Sequence, residues 1–388
     1  MRPLIWILLP LVVFAGPPPA IALEADVSAD LSANGGAKLR WGELRSRTGV
    51  RLQADSIQVD DDVDREVGTA DQLRRARLTQ RIDWRDWRLR VDYDFGVSEG
   101  FKNAYLEHRG FHRMRLRAGN QVAPFSLEDN EGSATSPLME RSIASALSPG
   151  MLEGFSLRKW GDGWSVAAGL FGDEMSDADR RRAPGRSFIA RGTLAPVRDA
   201  GRVLHLGAAF ERREIDSGER VRLRARPYSR LVETRVLDTR WLDGVDEIRG
   251  ANQELAFAWG RLKLQAEATQ LDLLGSGADR SAQGGYVMMS AMLGGGGYRY
   301  SRSRGVFSAE PPEGSWGGLE LAARYGWLDL GDGSLAGGNA REATIGLTWL
   351  ARKQLRLQLN HSRVTASPDR NGRDVRYDVT GLRIQLSI

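Results

Sequence analysis

The chain has 388 residues, 41% of them hydrophobic and 27% charged, with a formal net charge of +5 and a mean hydropathy of −0.39. That balance excludes a bundle of membrane helices, and regularly spaced apolar and aromatic residues argue against wholesale disorder. The lack of Cys excludes disulfides, thiolate metal sites and Cys nucleophiles. Only five of the 55 basic residues are Lys; the rest are Arg, whose planar fork matches oxyanions better than an ammonium does.

The first residues read as a targeting segment. Arg2 supplies a positive start, Leu4 to Phe14 a short apolar run, and Ala20-Ile21-Ala22 a small-residue cleavage site. Residues 1–22 are therefore expected to be a signal peptide cleaved after Ala22, followed by a periplasmic segment 23–48. A retained anchor helix is the alternative.

From residue 49 onward the dominant period is two. In 260–268, 354–360 and 382–388, apolar residues alternate strictly with polar or charged ones, so each segment is a strand with one greasy and one polar face. The alternation predicts strands at 49–59, 70–82, 86–96, 101–109, 113–121, 152–159, 164–172, 186–195, 203–213, 252–259, 261–272, 283–293, 317–328, 341–350, 354–365 and 375–388. These sixteen are joined alternately by short turns and by longer loops at 60–69, 122–151, 173–185, 214–251, 273–282, 329–340 and 366–374. Strand length, even count and loop alternation together predict an all-β, sixteen-stranded antiparallel transmembrane barrel over 49–388. One connection, 294–316, is long where a short turn is expected. Trp84, Trp87, Trp160, Trp164, Trp259, Trp327 and Trp349 fall near strand ends, as an interfacial girdle requires, although core aromatics would cluster in the same places.

A sixteen-stranded closure leaves a water-filled bore for the charged faces. Within loop 214–251, Arg220, Arg222, Arg224 and Arg226 alternate with smaller residues. If extended, they form a ladder of guanidiniums on one side, suited to anions passing between weak sites. The competing reading is a basic loop facing water or lipopolysaccharide phosphates, which also suits Arg180, Arg181, Arg182 and Arg186. Loop 122–151 carries Phe125, Glu128, Asp129, Glu140 and Arg141 and is long enough to fold inward and narrow the bore, or to lie outside as a cap.

These residues resemble the phosphate-selective porin O/P family of Gram-negative outer membranes. The similarity runs over roughly 49–388, through 49–55, Leu73-Arg74-Arg75-Ala76, Asp86-Trp87-Arg88, Phe125-Ser126-Leu127-Glu128, Met139-Glu140-Arg141, Arg191-Gly192 and the ladder ending at Arg226-Pro227. The resemblance implies a homotrimer of sixteen-stranded barrels, an inward-folded loop at 122–151, and a periplasmic segment 294–316 turned into the lumen. It also implies a phosphate-binding narrow zone with arginines at Arg51, Arg75 and Arg141. Two positions depart from the family pattern: Asp129 stands where the family has a lysine, and Lys102 where it has an acid. Ile388 ends the chain where barrels usually carry Phe.

No nucleophile elbow, zinc-protease motif, P-loop or calcium loop occurs. His108 and His112 lie four apart but on a strand–turn–strand. The Asp60–Asp62 run with Asp64 suits a solvated loop better than a cation. Basic residues spread along the whole chain suit a lined channel better than a nucleic-acid groove. The sequence thus predicts a passive, anion-preferring porin for phosphate-like solutes, with no cofactor, metal or nucleic-acid partner, embedded among outer-membrane lipid and lipopolysaccharide. A general diffusion porin and a non-conducting structural or adhesive barrel are the alternatives.

Overall fold

A computed structural model describes residues 27–32, 36–62, 68–176, 182–199, 201–229, 234–276, 279–312, 314, 316–331, 335–351 and 354–388. The expected signal peptide, Asp64, Arg180 and Arg181 lie outside the described residues. Sixteen strands form one closed antiparallel barrel. They are β1 (Leu44–Asp61), β2 (Gly68–Trp84), β3 (Trp87–Asp94), β4 (Gly100–His108), β5 (Met114–Val122), β6 (Met151–Trp160), β7 (Trp164–Phe171) and β8 (Gly185–Asp199). The second half comprises β9 (Arg202–Ile215), β10 (Val245–Trp259), β11 (Leu262–Gly275), β12 (Arg280–Leu293), β13 (Gly318–Asp329), β14 (Asn339–Leu350), β15 (Leu355–Ala366) and β16 (Val375–Ser387).

Each strand pairs with its sequence neighbour, and β16 returns to β1 from Tyr377 opposite Asp61 to Ser387 opposite Arg51. Val50 and Ile388 finish the seam by exchanging backbone hydrogen bonds of 2.9 and 2.8 Å. Backbone pairing closes the ladder here whatever side chain stands at 388. Closure leaves no polar edge inside the apolar layer.

The period of two sorts the side chains as predicted. Leu52, Phe155, Leu170, Leu255, Met289, Ile345 and Leu382 are exposed on the outside, while Gln53, Asp55, Glu107, Glu254, Gln265, Glu342 and Arg383 are buried inside. Trp84, Trp87, Trp164 and Trp259 stand exposed at the short-turn end. There Trp349 donates to the carbonyl of Trp316 at 2.9 Å. Trp160 departs from the expected girdle. It shares the face of Arg158, which looks into the bore, and the Arg115 guanidinium stacks 4.9 Å from its ring centre.

Three features differ most from the alternation. β1 starts at Leu44, because a hairpin of Val27–Ser32 and Gly36–Trp41 covers its free edge, pairing Ala37 with Thr48 through Trp41 with Leu44. β10 starts at Val245, where Glu247 and Arg249 interrupt the outer apolar pattern yet stay in the ladder opposite β11. The long connection 294–316 holds a small hairpin, Gly297–Ser301 with Val306–Glu310. It turns into the barrel, where Val306 and Phe307 pack on Leu127, Ala256 and Ala258.

Candidate functional site

The segment 123–150 between β5 and β6 folds into the bore. Its one helical turn, α1 (Leu127–Glu131), is capped by the Ser126 hydroxyl. The backbone N–H groups of Leu127 and Glu128 donate to the Glu267 carboxylate on β11 at 2.8 and 2.7 Å. Further along, Met139 N–H donates to Asn360 on β15 at 2.6 Å, Ile143 N–H to Glu342 on β14 at 3.1 Å, and Thr348 on β14 to the Pro137 carbonyl at 2.8 Å. Inward-facing polar residues of β10 to β16 thus become the docking rail for one loop. Gly346 and Gly381 leave room for it: a Cβ at Gly346 would fall 2.5 Å from Leu138 Cδ2 and 1.9 Å from Asn360 Nδ2, and one at Gly381 3.0 Å from Met139 Cε.

Buried ion pairs lock the seat. Arg324 on β13 reaches Glu342 at 2.6 Å and Glu128 at 3.1 Å. Arg383 on β16 forks onto Asp55 at 2.7 and 2.6 Å and also reaches Glu140 at 3.0 Å. Arg74 pairs with Glu140 at 3.1 Å. Burial alone would raise the Glu140 carboxyl, but Arg74 and Arg383 outweigh it and hold the group far below the usual carboxylate range. For Glu128 burial wins over Arg324 and Arg141, pushing its carboxyl up to about 7. Phe125 is fully buried in a cluster with Leu152, Phe171 and Ile189; it anchors the loop and does not line the passage.

Most of the loop's hydrogen bonds go to β10 to β16, and the facing wall is β1 to β6. This wall carries Arg51, Arg75, Arg77, Arg90, Arg117 and Arg158 on the inward parity. Arg77 pairs with Asp94 at 3.0 Å, Arg90 with Asp92 at 2.8 Å and Arg117 with Glu107 at 2.7 Å. Arg51 forms no ion pair among the described residues, and its Nε is buried without a hydrogen-bond partner. Arg75 donates to the Ser133 hydroxyl of the loop. Of the expected trio, Arg51 and Arg75 share this wall, on adjacent strands in register (Gln53 opposite Arg75, Arg51 opposite Arg77). Arg141 turns instead to Asp129 at 2.7 Å.

The two departures from the family pattern lie apart. Asp129 sits in α1, holding Arg141 and accepting from Ser148. Lys102 lies near the long-loop end of β4, buried with its ammonium 3.8 Å from Glu174.

The arginine ladder is extended, as its alternation suggests: Val221 bridges to Leu242, and Arg224-Ala225 pairs with Asp238-Leu237. Arg220 and Arg222 stack on Trp241 at 5.2 and 5.5 Å, and Arg222 forks onto Asp238. Side-chain bonding to Arg222 leads the causes that hold the Asp238 carboxyl low, against the pull of burial. The opposite face, Val221 and Ala225, packs into the largest apolar cluster with Ile57, Leu147 and Val364. Beyond the ladder Tyr228 drops into the bore and donates to Asn360 at 2.8 Å. Arg182, expected to face solvent or lipopolysaccharide, pairs with buried Glu211 at 2.8 Å.

Sequence reasoning passed over the inner partners of the small hairpin. Arg191 forks onto Glu254 at two distances of 2.7 Å and donates to the carbonyls of Arg304 and Gly305 at 2.8 and 2.9 Å. His205 bridges Glu254 and Tyr300 at 3.0 and 2.8 Å. Phe307 N–H reaches Glu131 of the loop at 3.3 Å, so the two insertions meet. The parity of Arg77, Arg90, Arg117 and Arg158 was readable; their facing partners were not. Among the described residues no cluster of three His, Asp or Glu is arranged to hold a metal ion.

A comparison with known protein families matches "Phosphate-selective porin O and P" over residues 47–388. The chain belongs to this family. The porin is 30% identical over 411 residues to an uncharacterized protein of Caulobacter vibrioides, covering 96% of this chain and 79% of that one. It is 27% identical over 193 residues to Porin O of Pseudomonas aeruginosa, covering 45% and 43% of the two chains. Among solved structures it shares its fold with a loop-deleted OmpT of Vibrio cholerae (TM-score 0.57, 10% identity, 89% and 100% coverage) and with the outer-membrane channel DcaP of Acinetobacter baumannii (TM-score 0.54, 10% identity, 89% and 97% coverage). The protein is an outer-membrane porin: a channel by family and architecture.

Proposed function

We propose that the porin passes small anions by diffusion and favours phosphate-like oxyanions. The observation that carries this reading is the charge of the wall formed by β1 to β6. Its inward arginines include Arg51, Arg75, Arg77, Arg90, Arg115, Arg117 and Arg158, against acids that include Asp83, Asp92, Asp94 and Glu107, and Arg51 keeps a guanidinium uncommitted. Guanidinium forks in a narrow wet space attract oxyanions, and several weak sites in series avoid trapping them. Arg224 and Arg226 belong to the entry path, leading from the mouth toward Tyr228. The assembly is a trimer, in line with one OmpT of Vibrio cholerae described as a trimer form, and lipopolysaccharide phosphates contact its outer rim.

The test is the reversal potential of refolded protein in a planar bilayer under a KCl gradient, followed by phosphate titration. Anion selectivity with phosphate block is expected; cation selectivity refutes the reading. A second reading, an anion porin without phosphate preference, is favoured by Arg141, whose contact with Asp129 commits one of the three guanidiniums of the family's narrow zone. Anion selectivity without phosphate block would establish it.

A further inference from the structure

Below the constriction, between β3 to β7 and the tip of the inward hairpin, lies a chamber of about 260 Å³. Pro124 of the loop and Trp160 of β6 both line it. Arg158 and Arg304 both line it. The Arg158 guanidinium makes no hydrogen bond or ion pair among the described residues, and that of Arg304 makes none either; only the Arg304 backbone is used. Arg158 feels the charge of Arg304, and both feel that of Arg117. Burial, and after it Arg117, push the Arg304 guanidinium down from its ordinary value, against the pull of Tyr105 and Glu131. Glu107, the acid in the lining, is already held by Arg117 at 2.7 Å.

Trp160 gives the chamber a second character. It is a ring facing the bore of a porin whose other end-placed tryptophans Trp84, Trp87, Trp164 and Trp259 face outward. It also lines a neighbouring cavity of about 290 Å³ beside Asp162 and Arg302. Side chains two apart on one strand stand roughly 6.6–6.8 Å apart on the same face. Arg158 and Trp160 are therefore spaced to hold an oxyanion and the ring that bears it. A single tetrahedral oxyanion would fill little of this volume, since a water's share of liquid is about 30 Å³.

We propose that this chamber is a second binding station of the pore, on the short-turn side of the constriction, for an organic anion whose flat ring carries an oxyanion group. The oxyanion sits between Arg158 and Arg304, and the ring lies against Trp160. Arg304 arrives on the inward hairpin, fixed there by the bonds of Arg191 to the Arg304 and Gly305 carbonyls. The proposal rests on the anion-channel reading and adds a ligand class to it.

The experiment measures block of KCl current by phenyl phosphate and by inorganic phosphate, each added on the short-turn side. Phenyl phosphate should half-block at a concentration roughly 10-fold lower than inorganic phosphate. Arg158→Gln and Arg304→Gln should each raise that concentration roughly 10-fold, as loss of a charged hydrogen bond does. Trp160→Ala should raise the phenyl phosphate value to that of inorganic phosphate, abolishing the preference. Should a Gln variant fail to give a heat-modifiable barrel, Arg158→Lys and Arg304→Lys keep the charge, lose the fork and should still raise the value. Equal block by the two probes, or variants that leave phenyl phosphate block unaltered, overturns the station. A cation-selective reversal potential would instead overturn the anion-channel reading itself.

Discussion

Arg383 offers a quantitative test of how the inner loop is held. Its guanidinium serves two masters: the wall, through Asp55, and the loop, through Glu140 at 3.0 Å and the Met139 carbonyl at 2.5 Å. The wall pair persists whether or not the loop is seated, so only the loop-facing bonds set the seating equilibrium. Replacing Arg383 alone would strand Asp55, which is 3% exposed, and cost about 3–5 kcal/mol of barrel stability. The double substitution Arg383→Gln with Asp55→Asn avoids that by leaving a neutral pair in the wall. The loop then loses a charged hydrogen bond worth about 1.5–3 kcal/mol, which raises the unseated fraction roughly 10- to 150-fold. Glu267, Asn360 and Arg324 still hold other parts of the loop, so the expected signal is open-channel noise and brief larger-conductance events in single-channel recordings. A double variant with native noise and native conductance would refute the idea that Arg383 clamps the loop.

Acid should act on the same seat. The Glu140 carboxyl is held below its ordinary value, so its stabilisation is complete above about pH 4.3 and is lost progressively as pH falls below that; channel noise should stay native down to about pH 4.3 and rise below it, and Glu140→Gln should be noisy throughout. Gly346→Val should expel the loop by striking Leu138 and Asn360, raising conductance while the heat-modifiable migration of the barrel persists. Arg191→Gln should free the tip of the inward hairpin, seen as faster proteolysis near 302–305 from the short-turn side.

The barrel was legible because lipid enforces a simple rule at every second residue. Leu355, Leu357 and Leu359 face outward and Arg356, Gln358 and Asn360 inward, and nothing local competes. The loop's path was legible only as a length. Its route depends on side chains such as Glu267 and Arg356 meeting backbone more than a hundred residues away, which no local pattern records. Trp160 was misplaced because its nearness to a turn outweighed its parity; counting from Arg158 would have put it inside. The charges of Glu247 and Arg249 hid the first part of β10 because they lie on the outward face, where the apolar rule was being read. The ladder arginines were found, but not the Trp241 and Asp238 that engage two of them from the returning half of the same loop.

The meeting of the two insertions at Glu131 and Phe307 has a consequence for how such a protein can diversify. The narrow zone is shaped by two tethered fingers that enter from opposite sides of the membrane. Either finger can be rewritten without disturbing the hydrogen-bonded cylinder that the export and folding machinery must handle. Solute preference and membrane insertion thereby become separately adjustable traits of a single chain.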